Sequence, residues 1–186
     1  MKKTIILLIF SIVSLCFSAQ AEHLKFMGIP LTGTITQFQQ KLAAKGVTYN
    51  KRASESSEVG VRCFNGSFAG SNANFVVWYN PSTKIVYGAK AVYPCTSKKD
   101  RDQKFEELKS MLSMKYAEES AGSETKDGFE YYTINVTDET GQFLLGVITL
   151  YQSRGDYPYD DYDYVQVEYL DAENYMKNQD SKMNDL

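Results

Sequence analysis

Residues 59–93 read VGVRCFNGSFAG (59–70), SNANFVVWYN (71–80) and PSTKIVYGAKAVY (81–93). These are strand-like runs divided by turn chemistry, near Ala69–Ala73 and at Asn80-Pro81-Ser82-Thr83. In the second turn Pro81 presets φ, and the polar side chains bond to local backbone. Connections this short predict an antiparallel meander. Alternation then sorts the faces. A tight connection at 80–83 sets Tyr79 opposite Ile85, Val77 opposite Tyr87 and Phe75 opposite Ala89. Ala91 and Tyr93 extend that row, which is the expected core. Val76, Trp78 and Val86 fall together on the other face, and a one-residue slip would exchange the two. A Trp flanked by valines on an uncovered sheet face marks a partner-binding surface. The alternative is that another element covers it.

Upstream, Leu24 and Phe26 alternate with Lys25 and suggest a short strand ended by Gly28 and Pro30. Thr34-x-x-Gln37 is a capping-box pattern opening a helix, with Ile35, Phe38, Leu42 and Ala43 on one apolar face. Gly46 is placed to end that helix, and Val47–Lys51 is a strand candidate. Ala53–Glu58 is polar and reads as a loop. Downstream, Pro94 is expected to end the third strand. Ser97 caps a longer helix to about Ala117, with Phe105, Leu108, Met111, Leu112 and Tyr116 inward. Residues 122–128 read as polar turn, with a weak strand possible before 129. Residues 129–136, 142–151 and 164–170 read as strands, 142–151 as a central one. The tail from Asn174 is polar and expected to fray.

These readings give an α+β chain in two tandem helix-plus-antiparallel-meander units, residues 22–95 and 96–175, with the helices on one sheet face. The period is about 65 residues. Residues 1–21 have a basic start, an apolar core over 4–17 and Ala19-Gln20-Ala21, the layout of a cleaved signal peptide. Cleavage is expected after Ala21, and residues 176–186 form a polar tail. Cys16 also allows a weaker lipid-anchor reading, which its neighbour Leu15 opposes. Beyond residue 21 no apolar run is long enough for a membrane span. The expected location is periplasmic or secreted.

The segment His23–Gly33 (HLKFMGIPLTG), the Phe38-x-x-x-Leu42 helix and the Phe68-Ala69-Gly70 turn resemble small exported proteins of Gram-negative gut bacteria. The helix-plus-meander order resembles the β-lactamase-inhibitor-protein-like fold and, more loosely, outer-membrane assembly lipoproteins. The inhibitor resemblance implies binding through an open sheet face. It carries over no individual residue.

Chemistry is constrained by what is scarce. The one histidine, His23, stands two residues past the expected cleavage site, a poor place for a catalytic base. The same scarcity removes His-based zinc sites, so no catalytic residue, metal or cofactor is assigned. Without the leader the chain carries 18 basic and 23 acidic residues and no dense basic cluster, which argues against nucleic acid. Asp156–Asp163 (DYPYDDYD) reads as a solvated connection, a Ca²⁺ loop lacking the EF-hand Gly and Glu, or a contact loop using Tyr157 and Tyr159. Cys63 and Cys95 could pair in an exported chain, but the meander holds them roughly 30 Å apart, so no bond is expected. The pattern points to a non-enzymatic binding protein with an unknown protein or polymer partner. The alternatives are a carboxylate-dependent hydrolase, for example one acting on glycans, and an inhibitor of a secreted enzyme.

Overall fold

The computed structural model describes residues 22–116, 121–154 and 162–183. The expected leader, its Ala21 cleavage site, and Tyr157 and Tyr159 lie outside these residues. The chain is α+β. Among the described residues four helices, α1 (Ile35–Ala43), α2 (Lys51–Glu55), α3 (Lys98–Lys115) and α4 (Ala172–Met183), accompany ten strands. A hairpin of β1 (Lys25–Phe26) and β2 (Ile29–Pro30) stands apart. The other eight are β3 (Thr48–Tyr49), β4 (Val61–Phe68), β5 (Ser71–Tyr79), β6 (Val86–Cys95), β7 (Ala121–Lys126), β8 (Phe129–Thr137), β9 (Leu144–Arg154) and β10 (Asp163–Asp171). They form one sheet in the order β3-β4-β5-β6-β10-β9-β8-β7, and every ladder in it is antiparallel. β6 pairs with β10, which joins the two meanders edge to edge.

Local chemistry accounts for most of the boundaries. Thr34 accepts from the Gln37 N–H while the Gln37 side chain accepts from the Thr34 N–H, so the capping box at α1 is complete. Three hairpins turn on two residues that both have positive φ: Met27-Gly28, Ala69-Gly70 and Asp127-Gly128. Such turns match the right-handed twist of the strands they join. Asp-Gly is the strongest sequence signal for them, and here it makes β7 a full strand where residues 122–128 read as polar turn.

The core lies on one sheet face. Phe64, Phe75, Val77, Ala89, Ala91, Val165, Val167, Tyr169, Ile148, Leu150 and Ile134 are buried there. Phe26 packs against Phe68, Phe75 and Tyr169, which docks the β1–β2 hairpin on it. Gln39 of α1 accepts from Arg62 at 2.7 Å. α3 reaches the same face through Phe105, Leu108 and Leu112, a Ser113–Tyr132 hydroxyl pair at 2.9 Å, and Lys104 over the Tyr93 ring. Arg101, also buried, meets Asp163 at 3.1 Å and Asp102 at 3.0 Å. A buried guanidinium is tolerable only when paired in this way.

Four expectations are corrected. Residues 51–55 are helical, because Asn50 caps them through the Ala53 N–H. β6 runs through Pro94 to Cys95: its ladder with β5 ends at Val92, so beyond that point one side of the strand has no bond for proline to break. The tail is ordered as α4, held by buried Asn174 and Asn178: Asn174 donates to the Leu31 carbonyl, and Asn80 donates to Asn178. His23 is fixed in place. Its Nδ1 lies 3.1 Å from Asp171, a fully buried carboxylate that also accepts from the Leu24 and Asn174 N–H groups at 3.0 Å each.

Candidate functional site

The second face of the sheet is built by the alternate residues of the same strands. Directly paired residues point to the same side, so the registers define rows across it. One row runs Cys63, Val76, Lys90, Glu168, Thr149, Thr133. A second runs Asn65, Asn74, Val92, Gln166, Tyr151, Tyr131, and a third Val61, Trp78, Gly88, Leu170, Val147, Asn135. From Val76 and Trp78 across to Tyr131 the side chains are half-buried, apart from Gly88, which Trp78 and Leu170 cover. Several of their contacts run within the face: Tyr131 stacks on Tyr151 with ring centres 5.6 Å apart, Tyr151 donates to Gln166 at 3.3 Å, and Gln166 donates to Ser153 at 2.7 Å.

Beside one another on this face stand an aromatic anchor and opposite charges. The Lys90 ammonium sits 5.6 Å from the centre of the Trp78 ring, a cation–π distance. Lys90 stands directly opposite Glu168. Burial lowers the Lys90 pKa, against the pull of Glu168 and Cys63. Burial likewise raises the Glu168 carboxyl, against Lys90 and the Tyr151 hydroxyl. Burial also raises Tyr151, with Glu168 adding to the effect. Both members of the charge pair are thus partly stripped of water yet remain at the surface. Gly88 leaves room for Trp78 and Leu170 to approach it from either side. A Cβ there would meet Leu170 Cδ2 at 2.8 Å and Trp78 Cε3 at 3.1 Å.

Val76 and Trp78 lie on this face. Val86 does not: it is 0 % exposed and belongs to the core. The reason is a bulge. Trp78 pairs with Gly88 but Tyr79 pairs with Val86, so Tyr87 is an extra residue and Val86 swings to the core side. The whole β5–β6 register is also displaced by two residues from the tight-turn expectation: Phe75 pairs with Ala91 and Val77 with Ala89. A longer connection causes this. Asn80 accepts from the N–H groups of Ser82 and Thr83, and Lys84 takes φ +64°. In the separate β4–β5 ladder, turned at Ala69-Gly70, Cys63 pairs with Val76. Cys63 and Cys95 are both free thiols on opposite faces, with Cys95 five residues beyond the Cys63 row, roughly 17 Å along the strand.

Lys90, Glu168, Gln166, Tyr151 and Tyr131 were not singled out from sequence. Their alternation was visible, but the β6–β10 pairing that gathers them joins residues about 75 positions apart, and no local pattern encodes it. Among the described residues no group of three His, Cys, Asp or Glu side chains is placed to hold a metal ion. No described helix is long and apolar enough to cross a membrane. No protein-family model matches the chain, and no characterised protein or solved structure matches it either.

Proposed function

We propose that this is an exported, non-enzymatic interaction protein that captures a protein partner on its second sheet face. The observation that carries the reading is Trp78, beside Val76, Leu170 and the Lys90–Glu168 pair, half-buried on the second sheet face. Binding hot spots are enriched in Trp and Tyr ringed by groups that exclude water. A half-desolvated charge pair costs stability that an apolar pair would not, and a partner offering opposite charges to both members is one use for it. The face is broad and carries both signs of charge, which suits a protein surface better than a uniform polymer.

The finer architecture belongs to the same reading. Two units, 22–95 and 96–175, each supply a helix and a meander, with α1 and α3 on the core face; the α2 segment meets the second face only toward its β4 edge, at Cys63 and Asn65. The helix-plus-meander order on which the resemblance to the inhibitor-protein-like fold rests suits such a face, and inhibition of a secreted enzyme is a special case of partner capture. Export to the periplasm or beyond follows from the leader-like residues 1–21. The hydrolase alternative gains nothing from the cavities: four lined by described residues hold at most one carboxylate each.

The test is affinity capture from envelope extract with processed wild-type protein and with Trp78→Ala. Loss of one defined protein from the Trp78→Ala capture supports the reading. An unchanged set of captured proteins refutes it, and retention of a sugar polymer instead of a protein would reassign the partner.

A further inference from the structure

Away from the Trp78 face, two features fit each other. The first is a projection. The β8–β9 loop is closed on Asp138, whose carboxylate accepts from the Gln142 and Phe143 N–H groups at 3.0 and 3.2 Å and from the Thr140 hydroxyl. The Asp138 N–H donates to the Phe143 carbonyl at 2.9 Å, and Gly141 takes φ +71°. This bonding holds the loop in one shape while Phe143 is 68 % and Leu144 49 % exposed. A large apolar side chain held rigidly in water is an anchor whose ordering cost on binding is already met.

The second feature is a recess of about 190 Å³ between α3 and the tip of the β4–β5 hairpin, walled by Phe68, Leu108, Met111, Leu112 and Tyr169. That volume is below the roughly 300–1,000 Å³ of small-molecule sites and suits a single large side chain. Met111, 41 % exposed at its mouth, is a residue type that repacks easily around an incoming group.

Charge matches the two features. Glu139 stands on the projecting loop, whereas Lys115 lines the recess. The two features also lie close together on the molecule: Lys115 lines the recess and, on its other side, a second hollow formed with Val136 and Leu145, next to Leu144. We infer that the occupant of the recess is Phe143 of a second copy of this chain. Because projection and recess are neighbours, the same contact can be made twice about a two-fold axis, which gives a closed dimer instead of a growing chain. The recess opens on the side of the sheet that carries α3, so the dimer leaves Trp78 free and does not depend on the partner reading above.

The experiment is sedimentation equilibrium of the processed protein from about 1 µM to about 1 mM, a range spanning firm to weak association. The wild type is expected to dimerise within it. Phe143→Ser, on an exposed loop that the core does not need, removes two anchors per dimer and should weaken association about 10³-fold. Lys115→Glu and Glu139→Lys should each weaken it less, and the two together should recover affinity over either alone. A wild type that stays monomeric across the range, a Phe143→Ser protein that associates as the wild type does, or a double charge reversal no better than its singles would each overturn the inference.

Discussion

Replacing Asp171 should unfasten both ends of the described chain from the sheet. Its carboxylate is 0 % exposed and accepts from three donors: the His23 ring, the Leu24 N–H and the Asn174 N–H. Asp171→Ala strands two buried backbone N–H groups and an imidazole nitrogen. Each orphaned group costs about 1–3 kcal/mol, so the total should reach about 3–5 kcal/mol after partial relaxation toward water. In a chain of this size that is a fall of about 10 °C or more in Tm. His23→Ala should cost about 1 kcal/mol, because the carboxylate keeps both backbone donors. Asp171→Asn should fall between them, since its amide N–H₂ must face one of the existing donors. Urea denaturation checks the order, with the midpoint shifting about 2 M for Asp171→Ala at constant slope. A loss below about 1 kcal/mol for Asp171→Ala, or a larger loss for His23→Ala, would show that the three bonds do not close the fold.

Further outcomes follow from the same contacts. Glu168 has a raised folded pKa, so its contribution is present below the unfolded carboxylate value and is lost as pH rises through the folded one. Wild type should therefore gain stability relative to Glu168→Gln as pH falls from about 7 to about 4, and a flat or inverted difference in denaturation midpoints would contradict the burial argument. Lys90→Met alone should destabilise by leaving Glu168 without its counter-charge, whereas Lys90→Met with Glu168→Leu should regain most of that loss or exceed wild type. Native-state thiol labelling should modify half-buried Cys63 well before Cys95, whose thiol burial pushes up to about 11; equal rates would count against the placement of Cys95 in the core. Gly146→Ala should cost several kcal/mol, on the order of a major core defect, because its Cβ would fall on the Leu170 carbonyl; a thermal melt within a degree of wild type would refute that close approach.

Legibility in the sequence tracked how local each determinant is. The Thr34 capping box, the Ser97 cap and the Phe75/Val77/Ala89/Ala91 core row could be read because each depends on residues close in the chain. Val86 was misplaced by one extra residue, Tyr87, and alternation cannot register a bulge. α4 looked like a fraying tail because its anchors are buried asparagines and not an apolar stripe. Asn174 and Asn178 bond to Leu31 and Asn80, partners that only the fold brings near. Half of the candidate face was equally out of reach. Val76 and Trp78 follow from alternation within one hairpin, while Glu168 and Tyr151 reach them through the β6–β10 ladder.

Trp78 is the chain's single tryptophan and lies on the proposed binding face, so its fluorescence reports on that face. The most direct measurement is a titration of processed protein with the partner recovered by affinity capture, following Trp78 emission. If the second sheet face is the binding site, emission should shift to the blue and saturate in step with binding, as the ring loses its remaining water. Saturable binding that leaves the Trp78 spectrum unchanged would place the partner elsewhere and contradict the account.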